Sequence, residues 1–253
     1  FNKIGPLIKS NKIIEENLNK FIGSYNENKK KKIKLEMWDN FGKTFIEYLY
    51  LKKFRSNNSH IIIKNETILK EIIKKNKPVI FVSGHFANFE LMSMELTKRN
   101  IKLATIYRPL NNFFLNPFME YVRRKFVCKN QIKKGLAGVK STINYIQNNF
   151  SIALMIDQRV SEGKRLPFFG HMALTTTLPA QLAAKYELDV VPIYIARNKK
   201  DNFEMEIHEP IKITNKENFE TNKLDLTIKL NKIIEQMISK DPGQWIWTHN
   251  RWK

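Results

Sequence analysis

Hydrophobic and polar positions give the chain two textures. Up to about residue 75 the apolar side chains recur at helical spacing. Ile13, Ile14, Leu18, Phe21 and Ile22 share one face of a first helix, and Leu35, Trp38, Phe41, Phe45, Tyr48 and Leu49 mark a second. The lysine run at 29–32 between them reads as a solvated connection. From residue 77 onward, short unbroken apolar runs alternate with longer amphipathic stretches. PVIFVS (78–83), KLATIY (102–107), SIALMI (151–156) and VVPIYIA (190–196) predict strands, and 87–98, 114–126, about 136–148 and about 176–186 predict helices. FEMEIHEPIKI (203–213) alternates like an edge strand, and Leu226, Leu230, Ile233, Ile234, Met237 and Ile238 stripe a last helix. Continuous apolar strands separated by helices predict an α/β fold with a mainly parallel central sheet flanked by helices. Without a repeat or a linker rich in Pro, Gly or Ser, the chain reads as one domain overall: a helical N-terminal extension, 1–75, packed on an α/β domain, 76–253.

Composition narrows the classes. At 253 residues with 42% hydrophobic side chains the chain is long enough to bury a sizeable core, and its single Cys128 excludes an intramolecular disulfide framework or a Cys-rich zinc module. The formal charge of +20 fits a nucleic acid, an anionic membrane surface or an acidic protein partner. Only nine of the 44 basic residues are Arg, and the abundance of Lys, Asn and Ile points to codon bias, which weakens any inference from charge alone. No apolar run approaches the roughly 18 to 20 residues of a spanning helix. The chain opens on Phe1 rather than Met, which leaves room for a preceding segment, an N-terminal anchor included.

The segment SGHFANFE (83–90) lies where a buried strand ends and a helix begins, the place where open α/β sheets put their sites. His85 and Glu90 are five residues apart, about 500° on an ideal helix, and would then point away from each other. They meet only if His85 sits in the turn before the helix. In that geometry a carboxylate fixes the imidazole tautomer and leaves the other nitrogen as a general base. The plainer alternative is a helix-capping His beside an unrelated Glu. Competing motifs are missing: there is no His pair at i and i+4 around a Glu, no Gly-x-Ser-x-Gly, no P-loop and no dinucleotide glycine fingerprint.

Taken in order, HFANFE, YRPLNN (107–112), EYVRRKF (120–126), MIDQ (155–158), LPFFG (166–170), TTTLPAQLAAK (175–185) and WIWTHNRWK (245–253) resemble the lipid A biosynthesis acyltransferases of the lauroyl/myristoyl type, within the glycerolipid acyltransferase-like fold. The resemblance runs from residue 4 to residue 253. It implies transfer of a fatty acyl chain from an acyl carrier protein thioester to a hydroxyl of a lipid A precursor, with His85 as general base and Glu90 as its orienting partner. It also places Arg123 and Asp157 at functionally important positions. Arg123 would face substrate phosphate or the developing oxyanion, and Asp157 would organise the site, by holding an arginine for instance. Arg108 and the backbone after Gly84 are further candidates for phosphate or oxyanion support. Surface salt bridges for the arginines and a loop cap for Asp157 remain open, as do core, interface and substrate roles for Trp245, Trp247 and Trp252. The chemistry needs no metal or cofactor. Expected partners are acyl carrier protein, a lipid acceptor and an anionic membrane surface, not nucleic acid, with residence on the cytoplasmic face of the inner membrane. Another glycolipid or lysophospholipid acceptor and, outside enzymes, a basic nucleic-acid-binding module are the alternatives.

Overall fold

The computed structural model describes residue 5 and residues 9–24, 26–110, 112–212 and 219–253. Asn111 of YRPLNN and the end of the expected edge strand lie outside the described residues. Two helices, α1 (Asn11–Ile22) and α2 (Glu27–Glu47), lead through a 3-10 turn at Tyr48–Tyr50 into the short α3 (Leu51–Ser56). Then come β1 (Ile61–Lys64), α4 (Glu66–Lys75), β2 (Ile80–Ser83), α5 (Glu90–Lys98), β3 (Leu103–Tyr107) and α6 (Leu115–Val122). A π-helical turn, Arg123–Val127, carries α6 into β4 (Asn130–Lys133), α7 (Leu136–Gln147) and β5 (Ser151–Met155). A hairpin of β6 (Lys164–Phe168) and β7 (His171–Thr175) precedes α8 (Leu178–Tyr186), β8 (Val190–Arg197), β9 (Phe203–Ile207) and α9 (Phe219–Lys240).

Seven strands form one sheet in the order β1-β9-β8-β2-β5-β3-β4, parallel at every pairing except β8 with β9. The α/β expectation is met. Because successive strand side chains alternate between faces, the apolar strands supply two cores at once. Ile80, Val82, Ile152 and Leu154 join a cluster with Ile14, Leu18, Met37 and Trp38 of the N-terminal helices and Leu230 and Ile234 of α9. On the other face Phe81, Ala153, Val191 and Ile193 pack with Leu51, Leu69, Leu91 and Met94.

Three expectations need correction. The region 1–75 is not wholly helical, because Ile61–Lys64 is a strand paired with β9. β9 is an inner strand between β8 and β1 rather than an edge. Its alternation reports one solvent-facing side, on which Glu204 and Glu206 meet Lys64 and Lys240, while Phe203, Met205 and Ile207 are buried. The buried face of α2 runs through Ile33, Met37 and Trp38, whereas Leu35, Phe45 and Leu49 are exposed.

Candidate active site

The site grows from the register of two neighbouring parallel strands. Ile80 of β2 lies opposite Ile152 of β5, and Ser83 opposite Met155. Two residues beyond each strand, the same register brings His85 beside Asp157. His85 Nδ1 and Asp157 Oδ1 are 2.8 Å apart, and the backbone N–H of His85 donates to Asp157 Oδ2 at 2.9 Å. Trp245 Nε1–H donates to the same Oδ2 at 2.7 Å. Burial alone would raise the Asp157 carboxyl, yet His85 beside it and these hydrogen bonds prevail and hold it at about 2. An ionised Asp157 accepts only, so Nδ1 of His85 carries a proton. Asp157 is sealed at 1% exposure while His85, anchored through Nδ1, remains 19% exposed.

The rest of the HFANFE turn holds this geometry. Phe86 is fully buried and forms an isolated bridge with Trp245. Ala87 takes a left-handed φ of 43°, a conformation that costs a β-carbon roughly 1 kcal/mol or more and is least crowded for a methyl group. Its N–H donates to Gln244 O at 3.0 Å, and its carbonyl accepts from Thr44 Oγ1 at 3.0 Å. Asn88 is buried and donates to Glu47, whose carboxylate also pairs with Arg197. Phe89 sets its ring edge-on to His85 with centroids 4.6 Å apart. Thr44, Glu47 and Tyr48 all belong to the end of α2 and the turn after it, so the N-terminal helices brace the loop that carries His85 directly.

Glu90 does not orient His85. As the first residue of α5 it accepts from Tyr48 Oη at 2.6 Å and from Arg123 Nε at 2.7 Å, with Arg123 Nη2 at 2.6 Å from the same oxygen. The cause is the turn at Ala87, after which the helix presents Glu90 to α6 while His85 faces β5. Arg123 opens the π turn, in which Cys128 N–H returns to Arg123 O at 2.9 Å. Its guanidinium donates to Glu90 and, at 3.3 Å, to Tyr48 Oη, and it is buried. Burial disfavours the charge, but the Glu90 and Tyr48 groups outweigh it and hold Arg123 protonated well above the ordinary range. Burial first, then the Glu90 charge, push the Tyr48 phenol up. Arg123 thus spends its Nε and Nη2 donors on Glu90 and Tyr48.

Asp157 holds His85 instead of an arginine. Gly84 is a close-packing position, since a β-carbon there would stand 2.7 Å from the Phe86 ring and 3.3 Å from Asp157 Cβ. The amides that follow it are taken: His85 N–H by Asp157, Phe86 N–H by Gly84 O at 2.9 Å, and Ala87 N–H by Gln244 O. Those three N–H groups are therefore spent within the protein. Arg108 is exposed in the loop after β3, on the same edge of the sheet. Sequence reasoning missed Tyr48 and His249, and left the role of Trp245 open. His249 Nε2 accepts from Arg159 N–H at 3.1 Å, and burial lowers its pKa to about 4, against the pull of Asp157. The signal for Asp157 as partner was available: Ile80 to His85 and Ile152 to Asp157 are equal steps along adjacent strands. Trp247 packs between Trp245 and Phe21 in the core, and Trp252 Nε1–H donates to Phe168 O.

Among the described residues no three His, Cys, Asp or Glu side chains gather as a metal site requires, and no helix is long and apolar enough to cross a membrane. A search of curated proteins returns no match to the chain. The family model for bacterial lipid A biosynthesis acyltransferases matches residues 2–253, the whole length around the site just described. The chain belongs to the bacterial lipid A biosynthesis acyltransferases.

Proposed function

We propose that this acyltransferase moves a fatty acyl group from an acyl carrier protein thioester to a hydroxyl of a lipid A precursor, with His85 as the general base and Asp157 as the residue that orients it. The observation that carries this reading is the bond from His85 Nδ1 to a buried, ionised Asp157 at the carboxyl edge of the sheet. An alcohol attacks a thioester slowly at neutral pH, and an imidazole within hydrogen-bond reach removes that obstacle. His85 Nε2 takes the hydroxyl proton as the oxygen attacks the thioester carbonyl. The tetrahedral adduct then collapses with cleavage of the C–S bond, and the proton passes from His85 to the departing thiolate. The products are the O-acylated lipid and the free carrier thiol, and imidazolium formation is stabilised by the Asp157 charge throughout.

Glu90 acts through Arg123 and Tyr48 as a positioning residue, fixing the start of α5 against α6 and thereby the turn that carries His85. We place the protein peripherally on the cytoplasmic face of the inner membrane, where its excess of lysine meets anionic lipid. Mass spectrometry of lipid products, after supplying acyl carrier protein thioesters and candidate acceptors, tests the reaction. A lipid A precursor that gains one chain, and does not with His85→Ala, is the expected result. An unmodified precursor beside an acylated glycolipid or lysophospholipid would reassign the acceptor, and no transfer to any lipid would refute the reading.

A further inference from the structure

At the edge of the sheet where β3 and β4 end, the chain turns large apolar side chains outward. Phe113 and Phe114 are 83% and 86% exposed, and Leu136, the first residue of α7, is 93% exposed. These are the three most exposed large hydrophobic residues among the described residues. They rise from adjacent strand ends, because Lys134 N–H donates to Tyr107 O at 2.9 Å and ties the end of β4 to the end of β3. The helix between them is inverted. Within α6 only Val122 is buried, while Leu115, Phe118 and Tyr121 are exposed. Phe114, Phe118, Tyr121 and Lys125 recur every three or four residues, the spacing of one helix face, and Lys125 Nζ donates to Tyr121 Oη at 2.7 Å.

Single exposed apolar residues are ordinary, but a cluster at one edge, continuous with an outward helix stripe, marks an interaction surface. Charge identifies the occupant. Arg108, Arg124 and Lys134 are exposed around the apolar tips, while Glu120 of α6 is occupied by Asn116 and Lys133. Apolar tips beneath a cationic rim fit a leaflet whose acyl chains lie below a layer of phosphates.

We propose that this edge is the face that lies on an anionic bilayer, with Phe113, Phe114, Phe118 and Leu136 inserted below the headgroups. The inference rests on the acyl-transfer reading and deepens it: β2, β5, β3 and β4 run parallel, so His85 and Asp157 open on the same edge. Docked in this way, the base faces the headgroup layer, and a lipid hydroxyl reaches it without leaving the membrane.

The test is co-sedimentation of the full chain with phosphatidylcholine vesicles, with and without phosphatidylglycerol. The variant F113S/F114S/L136S is compared with Ile62→Ser, which removes an exposed side chain from β1 at the far edge of the sheet. All four positions are exposed, and circular dichroism checks that both variants fold. The triple variant is expected to bind phosphatidylglycerol vesicles at least tenfold more weakly than the wild type, with Ile62→Ser unchanged. Equal binding by the triple variant, or an equal loss in Ile62→Ser, would overturn the assignment. A triple variant that keeps its vesicle affinity but loses binding to acyl carrier protein would also overturn it, by assigning the edge to an acidic protein. Vesicle binding is read without turnover, so failure of the wild type to acylate any lipid counts against the reaction and not against this face.

Discussion

Replacing Asp157 by Asn isolates the step on which the mechanism depends, because it changes charge and hydrogen-bond direction with little change in shape. The carboxylate receives three donors: the Nδ1–H of His85, the backbone N–H of His85 and the indole N–H of Trp245. An amide has one oxygen. If that oxygen takes the backbone and indole donors on the Oδ2 side, its NH2 faces His85 Nδ1, which must then accept. The imidazole proton moves to Nε2, and the base is lost. The opposite orientation sets an NH2 against two N–H groups and costs more. General-base catalysis contributes about 10²- to 10⁴-fold, and a reversed tautomer in a comparable catalytic arrangement costs about 10⁴-fold. Asp157→Asn should therefore lower kcat/KM by about 10²- to 10⁴-fold, equivalent to about 3 to 5 kcal/mol of transition-state stabilisation. Thiol release from an acyl carrier protein thioester, coupled to product mass, measures the loss, and long-range 1H–15N correlation spectra report which nitrogen of His85 carries the proton. A folded Asp157→Asn enzyme with undiminished kcat/KM, or with the proton still on Nδ1, would refute the reasoning.

Glu90→Ala should act on the fold as well as on turnover, because it leaves the buried Arg123 cation without its carboxylate. A loss of about 3 to 5 kcal/mol in urea unfolding is expected, with a smaller loss for Glu90→Ala combined with Arg123→Met than the two single changes would sum to. Gly84→Ala should cost about 1 to 3 kcal/mol and displace His85, seen as a lower Tm together with a lower kcat, since the new methyl meets the buried Phe86 ring. His249 is lowered to about 4 from an ordinary 6.5, so the unfolded chain takes up its proton first as the pH falls. Its contribution to stability is complete above pH 6.5 and disappears progressively toward pH 4. Urea unfolding at about pH 7 and about pH 5 should show that loss, and His249→Gln should lessen it. Asp157, held at about 2 against an ordinary 3.8, adds a separate loss at lower pH, between those two values.

The sheet was readable because its central strands are buried on both faces, and burial on both faces leaves unbroken apolar runs such as VIFV and IALM. β1 was not, since IIIK is short and lies among helices, and its pairing with β9 is fixed by residues some 140 positions away. β4 was hidden for a related reason: NQIK has one buried side chain, Ile132, and little pattern to show. At the site, His85 could be singled out from its strand-to-helix position alone, but its partner could not be inferred from nearness in sequence. A turn through a left-handed Ala87 sends Glu90 one way and His85 the other, and nothing in the letters HFANFE announces that φ. Parallel pairing works differently. Once two strands are known to lie side by side in register, residues at equal distance from a paired couple are neighbours whatever their separation along the chain. Ile80 pairs with Ile152, and five steps along each strand stand His85 and Asp157. The pairing of His85 with Asp157 is therefore a consequence of the sheet, and the carboxylate that lies near in sequence serves the neighbouring arginine.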